Sequence, residues 1–293
     1  MTQPLASTIS VPAIFLSLIL ALAVCPVSAR VVVTDDLNVE VAIERPAIRV
    51  IALAPHLTEL LFSLGVGDRI VGTSRYSDYP EAAKKLKVVG DAFSVSVEAV
   101  VELQPDLIFA WATGGANRPL KRLKDLGFVI YVNEVSSIDG IGRTLSNMAA
   151  LMGKEEEGLR LVDEFQRRLS RIRSSTQDLP AVDVFFQISD QSLYTVNRGH
   201  LIGQAIDMCN GNNVFADQVI PVPLVSQESV LIRNPDVLVI SRPESGATSP
   251  WIRKWGAFEG YKEKIRWIDP GQISRPSLRM LDGIEQLCMV IQQ

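Results

Sequence analysis

The chain has 293 residues, 47% hydrophobic and 21% charged, with 29 Lys and Arg against 33 Asp and Glu. This composition excludes a disordered or collagenous chain, and the length suits one large or two ordinary domains, each able to bury its own core. A net charge of −4 argues against nucleic acid as the main partner, because phosphate binding needs a basic excess, and two histidines are too few for a multi-histidine metal site.

In chain order, the first charged residue is Arg30, preceded by an apolar stretch over residues 11–24 and then Pro26-Val27-Ser28-Ala29. The stretch is short for a membrane span, which needs about 20 apolar residues, and the small residues after it read as a signal-peptidase site, with cleavage expected after Ala29. Residues 1–29 are therefore expected to be a signal peptide directing the protein to the periplasm, although its first ten residues carry no Lys or Arg. Leu22-Ala23-Val24-Cys25 also resembles a lipoprotein box, with Val a poor fit before the Cys; lipid anchoring is the lesser alternative. Cleavage removes Cys25 and leaves Cys209 and Cys288, two thiols that an oxidising compartment would pair, the alternative being two separate buried thiols. Pairing would close a loop of about 80 residues and stabilise the fold by roughly 4 kcal/mol on chain-entropy grounds.

Residues 30–48 form an N-terminal extension. From Arg49 short β-branched runs alternate with helical patterns: a buried strand over 49–53, an amphipathic helix over 58–64 ending at Gly65, strands over 70–72 and 107–110, a helix over 120–126 stopped by Gly127, and a strand over 129–132. This alternation predicts a parallel-sheet α/β lobe over 49–153. A connecting helix over 154–176 follows, with apolar residues at Leu159, Val162, Phe165, Leu169 and Ile172, and a second α/β lobe over 177–293. The predicted fold class is α/β, two Rossmann-like lobes joined by one long rigid α-helix, with a largely pre-formed cleft where the carboxyl ends of the strands point.

The two lobes share a segment. Ser96-Val97-Glu98-Ala99-Val100 leads to Pro105-Asp106-Leu107, and Ser226-Gln227-Glu228-Ser229-Val230 leads, in register, to Pro235-Asp236-Val237. In each copy Ser opens a helix with an acid in its first turn, favourable for the cap and the helix dipole, and Pro-Asp turns the chain into an apolar strand. The register suggests two lobes of similar fold related by a pseudo-twofold axis.

Six segments carry a resemblance: RVIALAPHLTELLFSLGVG (49–67), GTSRYSDYPEAAKK (72–85), VEAVVELQPDLIFAW (97–111), MCNGNNVF (208–215), VSQESVL (225–231) and RPSLRMLDGIEQLC (275–288). Together they resemble the periplasmic substrate-binding proteins of ABC importers with a helical backbone (class III), which serve cobalamin, ferric siderophores and haem. The Tyr-Ser-Asp-Tyr-Pro run and the two cysteine contexts are closest to the cobalamin branch. The resemblance implies a Cys209–Cys288 disulfide and a corrinoid, cobalamin or a precursor such as cobinamide, held between the lobes. On this resemblance Tyr76 and Trp111 fall on ligand-contacting aromatics, Gly271, Gln272, Ile273, Ser274 and Arg275 on a ligand loop, and Glu98 and Glu228 on the acids that meet a dimeric inner-membrane permease. Read on the residues alone, the lesser alternatives are a turn residue for Tyr76, core packing for Trp111 and a loop charge for Arg275. Two positions depart from the branch, Ala92 with Phe93 beside it and Val222, where the branch has Trp; a corrinoid lacking the lower base would suit the smaller contacts. His56, expected just before the first helix, is a candidate axial ligand to cobalt or iron, or else a cap residue.

No Walker loop, GxSxG, HExxH or zinc-spaced cysteine set occurs, and Gly114-Gly115 lacks a GxGxxG continuation. A binding protein, not an enzyme, is expected, monomeric, with no cofactor of its own and no nucleic-acid partner; a ferric siderophore or haem binder is the alternative within the family, a periplasmic enzyme the alternative outside it.

Overall fold

Unbroken apolar runs suit strands covered on both faces, and the chain builds two all-parallel sheets from them. The computed structural model describes residues 30–91, 93–189, 191–242 and 249–293; the expected signal peptide with Cys25, and Ala92, lie outside the described residues. The first sheet takes strands from β3 (Val50–Ala52), β4 (Ile70–Ser74), β5 (Val88–Gly90), β6 (Leu107–Trp111) and β7 (Ile130–Asn133), in the order β5-β4-β3-β6-β7. Helices α1 (Pro55–Ser63), α2 (Val97–Leu103) and α3 (Asn117–Asp125) connect them. Alternation along each strand divides the core: Val50, Ala52, Leu107 and Phe109 join one buried cluster, while Ile51, Ile108 and Ala110 join another.

The second sheet repeats the scheme with β8 (Val182–Gln187), β9 (Gly211–Asn213), β10 (Val237–Ser241) and β11 (Ile265–Ile268), in the order β11-β10-β8-β9. Its helices are α6 (Leu201–Met208), α7 (Gln227–Arg233), α8 (Pro250–Trp255), α9 (Pro270–Ile273) and α10 (Met280–Ile291). Val184, Phe186, Val237 and Val239 face one cluster; Phe185, Leu238 and Ile240 face the other, with Trp251 and Trp255.

The repeat in sequence is a repeat in structure. Ser96 Oγ accepts from Ala99 N and Ser226 Oγ from Ser229 N, both at 3.2 Å, capping α2 and α7. Both helices end on a left-handed residue, Gln104 (φ 46°) and Asn234 (φ 43°). Asp106 N donates to Arg49 O while Asp106 Oδ2 accepts from Arg49 N; Asp236 and Asp183 make the same reciprocal pair. The aspartate after each Pro thus pins the chain entering the neighbouring central strand.

The connection between the sheets is a helix pair. α4 (Gly140–Met152) places Ile141 in the second sheet's core and Leu145 and Met148 in the first; α5 (Glu155–Thr176) places Leu161 in the first and Phe165, Leu169 and Ile172 in the second. Leu159, expected on the apolar face of α5, is exposed; Gly158 is buried instead, where a Cβ would stand 2.4 Å from Ala149 Cβ. That close approach of the two helices moves the start of the buried stripe by one position, while Phe165, Leu169 and Ile172 stay buried as expected.

The extension is ordered. β1 (Val31–Thr34) and β2 (Glu40–Ile43) form an antiparallel hairpin whose turn residue Asp36 accepts from Asn133 Nδ2 and Glu134 N, both at 2.8 Å. Cys209 and Cys288 are disulfide-bonded, joining the end of α6 to α10.

Candidate ligand cleft

The segments that follow the carboxyl ends of β4 and β11 touch each other, so the two sheets present these ends to a shared cleft, as open parallel sheets do. One wall belongs to the first sheet. Leu53, Ala54 and Pro55 after β3, Ser74 closing β4 with Arg75 and Tyr76 after it, Asp91 and Phe93 after β5, and Trp111 closing β6 line a hollow of about 340 Å³. Tyr76 is 62% exposed and Phe93 81%, leaving aromatic surface uncovered at the rim of this hollow.

Local chemistry holds both rings outward. Asp91 Oδ1 accepts from Phe93 N and Ser94 N at 2.9 Å each, an Asx turn that lifts Phe93 off the sheet end. Those backbone bonds, the largest cause, keep the Asp91 carboxyl below its ordinary value. Tyr76 adopts φ 67°, a left-handed conformation unusual for an aromatic residue, and its neighbour Ser77 is buried against the hydroxyls of Thr58 and Ser74. Trp111 is half-buried, its ring edge-on to His56 at 5.9 Å.

The other wall is polar. Asp78, Arg242, Asp269, Pro270, Gly271, Gln272, Arg275 and Gln286 line a hollow of about 550 Å³. The expected ligand loop is in fact the one-turn helix α9, capped by Asp269 Oδ1 on Gly271 N at 2.8 Å. That turn sends Ile273 into the core, fully buried, so its expected ligand contact is withdrawn; Gly271, Gln272 and Arg275 stay on the cleft. Ser274 caps the end of the turn, its N bonded to Pro270 O at 3.1 Å.

His56 departs from expectation too. α1 begins at Pro55, so His56 lies within its first turn, buried, with Nε2 bonded to Asn133 Oδ1 at 2.8 Å. Burial is the main cause that lowers its pKa to about 4; the Asn133 bond opposes it and the charge of Arg275 adds to it. The ring is neutral and shut off from the cleft, and the axial-ligand expectation is withdrawn.

One part of the site escaped the sequence reading. Glu59, on the buried face of α1, accepts from Arg275 Nη1 at 3.0 Å, Arg279 Nη1 at 3.2 Å and Ser277 Oγ at 2.6 Å. The available signal was a lone acid amid Leu57, Leu60 and Leu61; only its partners, more than two hundred residues away in sequence, give it meaning. A second missed group, Tyr194, Val219, Ile220 and Leu224 with Val222, is exposed after the carboxyl ends of β8 and β9. Glu98 and Glu228 are exposed in the first turns of α2 and α7.

Residues 50–251 match the periplasmic binding protein family. The vitamin B12-binding protein of Vibrio cholerae is 34% identical over 245 residues, 83% of this chain and 88% of that protein. That of Yersinia pestis is 35% identical over 243 residues, 82% of this chain and 85% of that one. The crystal structure of the periplasmic vitamin B12 binding protein BtuF of Vibrio cholerae matches with a TM-score of 0.75, covering 84% of this chain and 97% of that one. A periplasmic heme binding protein from Pseudomonas aeruginosa shares the fold at 19% identity and a TM-score of 0.74, covering 84% of this chain and 93% of that one. Two parallel sheets, a shared cleft and similarity over most of the length lead to one assignment: the chain belongs to the periplasmic binding protein family.

Proposed function

We propose that this protein is the periplasmic substrate-binding component of an ABC importer and that it carries a corrinoid, cobalamin or a precursor such as cobinamide, to its permease. The observation that carries this reading is the cleft's chemistry: exposed aromatic rings beside a polar wall whose charges balance. Asp78 and Asp269 stand against Arg242 and Arg275 on the polar wall, and Asp91 against Arg75 on the aromatic one. A corrin ring bears apolar faces and a rim of neutral amides; rings cover the faces, while Gln272, Gln286 and Arg275 donate to the rim. A carboxylate-rich siderophore or haem would call for an excess of cations, which the lining lacks among the described residues.

Tyr76, Phe93 and Trp111 pack one face of the ligand, and the aliphatic group around Val222 opposes them where larger rings would leave less room. Glu98 and Glu228, one acid per repeat at equivalent cap positions, suit a permease with twofold symmetry. The two residues belong to docking, not to the ligand.

Titration of the mature protein with cyanocobalamin and dicyanocobinamide, followed by calorimetry, tests the reading. Saturable one-to-one binding is expected, with cobinamide at least as tight as cobalamin. Tyr76→Ala should weaken it by about tenfold, the loss of one ring contact of roughly 1–2 kcal/mol. Absence of binding by both corrinoids at micromolar concentration would defeat it.

A further inference from the structure

Arg275 carries two carboxylates on one nitrogen, and they differ in kind. Nη1 donates to Glu59 Oε1 at 3.0 Å and to Asp78 Oδ1 at 2.6 Å. The Glu59 side chain is 2% exposed and also bonded to Ser277 and Arg279; that of Asp78 is 54% exposed and lines the polar wall. The Arg275 side chain is 15% exposed, so the pair to Asp78 is open to water only on its carboxylate side; that side can exchange with another acceptor, whereas breaking the buried pair to Glu59 strands an uncompensated charge. Arg275 Nη2 also donates to Tyr76 O at 3.1 Å, and Arg279 stacks on the Tyr79 ring at 3.7 Å, so the loop over residues 76–79 is gripped by two arginines from the far side of the cleft.

We propose that Asp78 is a displaceable clasp, occupying the ligand's place on the Arg275 guanidinium until an acceptor oxygen on the ligand rim replaces it, while Glu59 is the fixed residue that positions Arg275. The inference rests on the cleft being the ligand site. Release of Asp78 leaves two arginines facing one buried carboxylate and turns the polar wall into a donor surface. It also loosens the loop that presents Tyr76, while the bond to Tyr76 O keeps the loop on the cleft. Asp78 is thus a specificity-determining competitor of the ligand, and Glu59 a positioning residue.

The test has two arms. In the ligand-free protein, Asp78→Asn should raise backbone hydrogen exchange across residues 76–79 several-fold; unchanged exchange overturns the clasp whatever the ligand proves to be. In titration with dicyanocobinamide, Asp78→Asn should tighten binding by about tenfold, and the gain should vanish in an Arg275→Ala background. Weaker or unaltered binding by Asp78→Asn, or the same gain without Arg275, overturns the competition. Glu59→Gln should weaken binding more when Arg275 is present than when it is absent, a coupling that a general loss of stability would not produce; an equal loss in both backgrounds overturns the positioning role. Should Glu59→Gln fail to fold, the Asp78–Arg275 cycle still decides. If the wild-type protein binds neither corrinoid, the corrinoid reading fails on its own, and the exchange arm alone judges the clasp.

Discussion

His56 shows how burial rewrites a residue's chemistry. A histidine on a loop would titrate near 6.5; here burial brings the value to about 4. As pH falls from 6.5 the unfolded chain takes the proton first, so stability is lost progressively down to about pH 4, by about 3 kcal/mol for this group. His200, also lowered by burial, adds in the same direction. Replacing His56 by Gln should therefore cut the fall in melting temperature between pH 7 and pH 4.5, leaving the share due to His200 and to carboxylates such as Asp91 held below their ordinary values; a curve parallel to wild type would contradict the assignment. The same scale separates Phe93 from Phe109, alike in sequence: one is lifted by an Asx turn, the other fully buried between strand neighbours.

Among elements, the reciprocal aspartate pairs do the work that Pro-Asp announces. Asp106 Oδ2 accepts from both Ile48 N and Arg49 N, at 2.9 and 3.1 Å, and Asp236 Oδ2, among the described residues, from Asp183 N at 2.9 Å. Alanine at either position should destabilise the protein by about 1–2 kcal/mol, with Asp106 the costlier, measured by urea unfolding. The disulfide acts on the same scale, tying α6 to α10 across 79 residues. Serine at both Cys209 and Cys288 should lower stability by roughly 4 kcal/mol, a fall on the order of 10 °C in melting temperature seen by calorimetry under non-reducing conditions. α5 itself was legible from its periodicity, but its partnership with α4 was not, because a glycine–alanine contact leaves no hydrophobic signal.

For the whole molecule, the proposed role makes the repeat a two-sided docking face. On the proposed role, Glu98→Lys and Glu228→Lys together should abolish stimulation of the permease's ATP hydrolysis while corrinoid affinity in solution stays within twofold; either single change should weaken the effect partly, since each acid would serve one half of a twofold partner. Full stimulation by the double variant would remove both residues from docking. Ionic strength offers an independent check, because exposed carboxylates are screened over a Debye length of about 8 Å at physiological salt.

Sequence alone determined the α/β class, the long helix and the doubled Ser-x-Glu and Pro-Asp segments, because periodicity, capping and turn chemistry act between near neighbours; Tyr76 and Trp111 were singled out only by the family resemblance. Tertiary structure alone decided that His56 is enclosed, that Ile273 turns into the core, that residues 30–48 form a hairpin pinned by Asp36, and that Glu59 gathers Arg275, Ser277 and Arg279. Burial and the pairing of charges depend on which distant segments meet, and a buried carboxylate reads in sequence like any other acid until its arginines arrive.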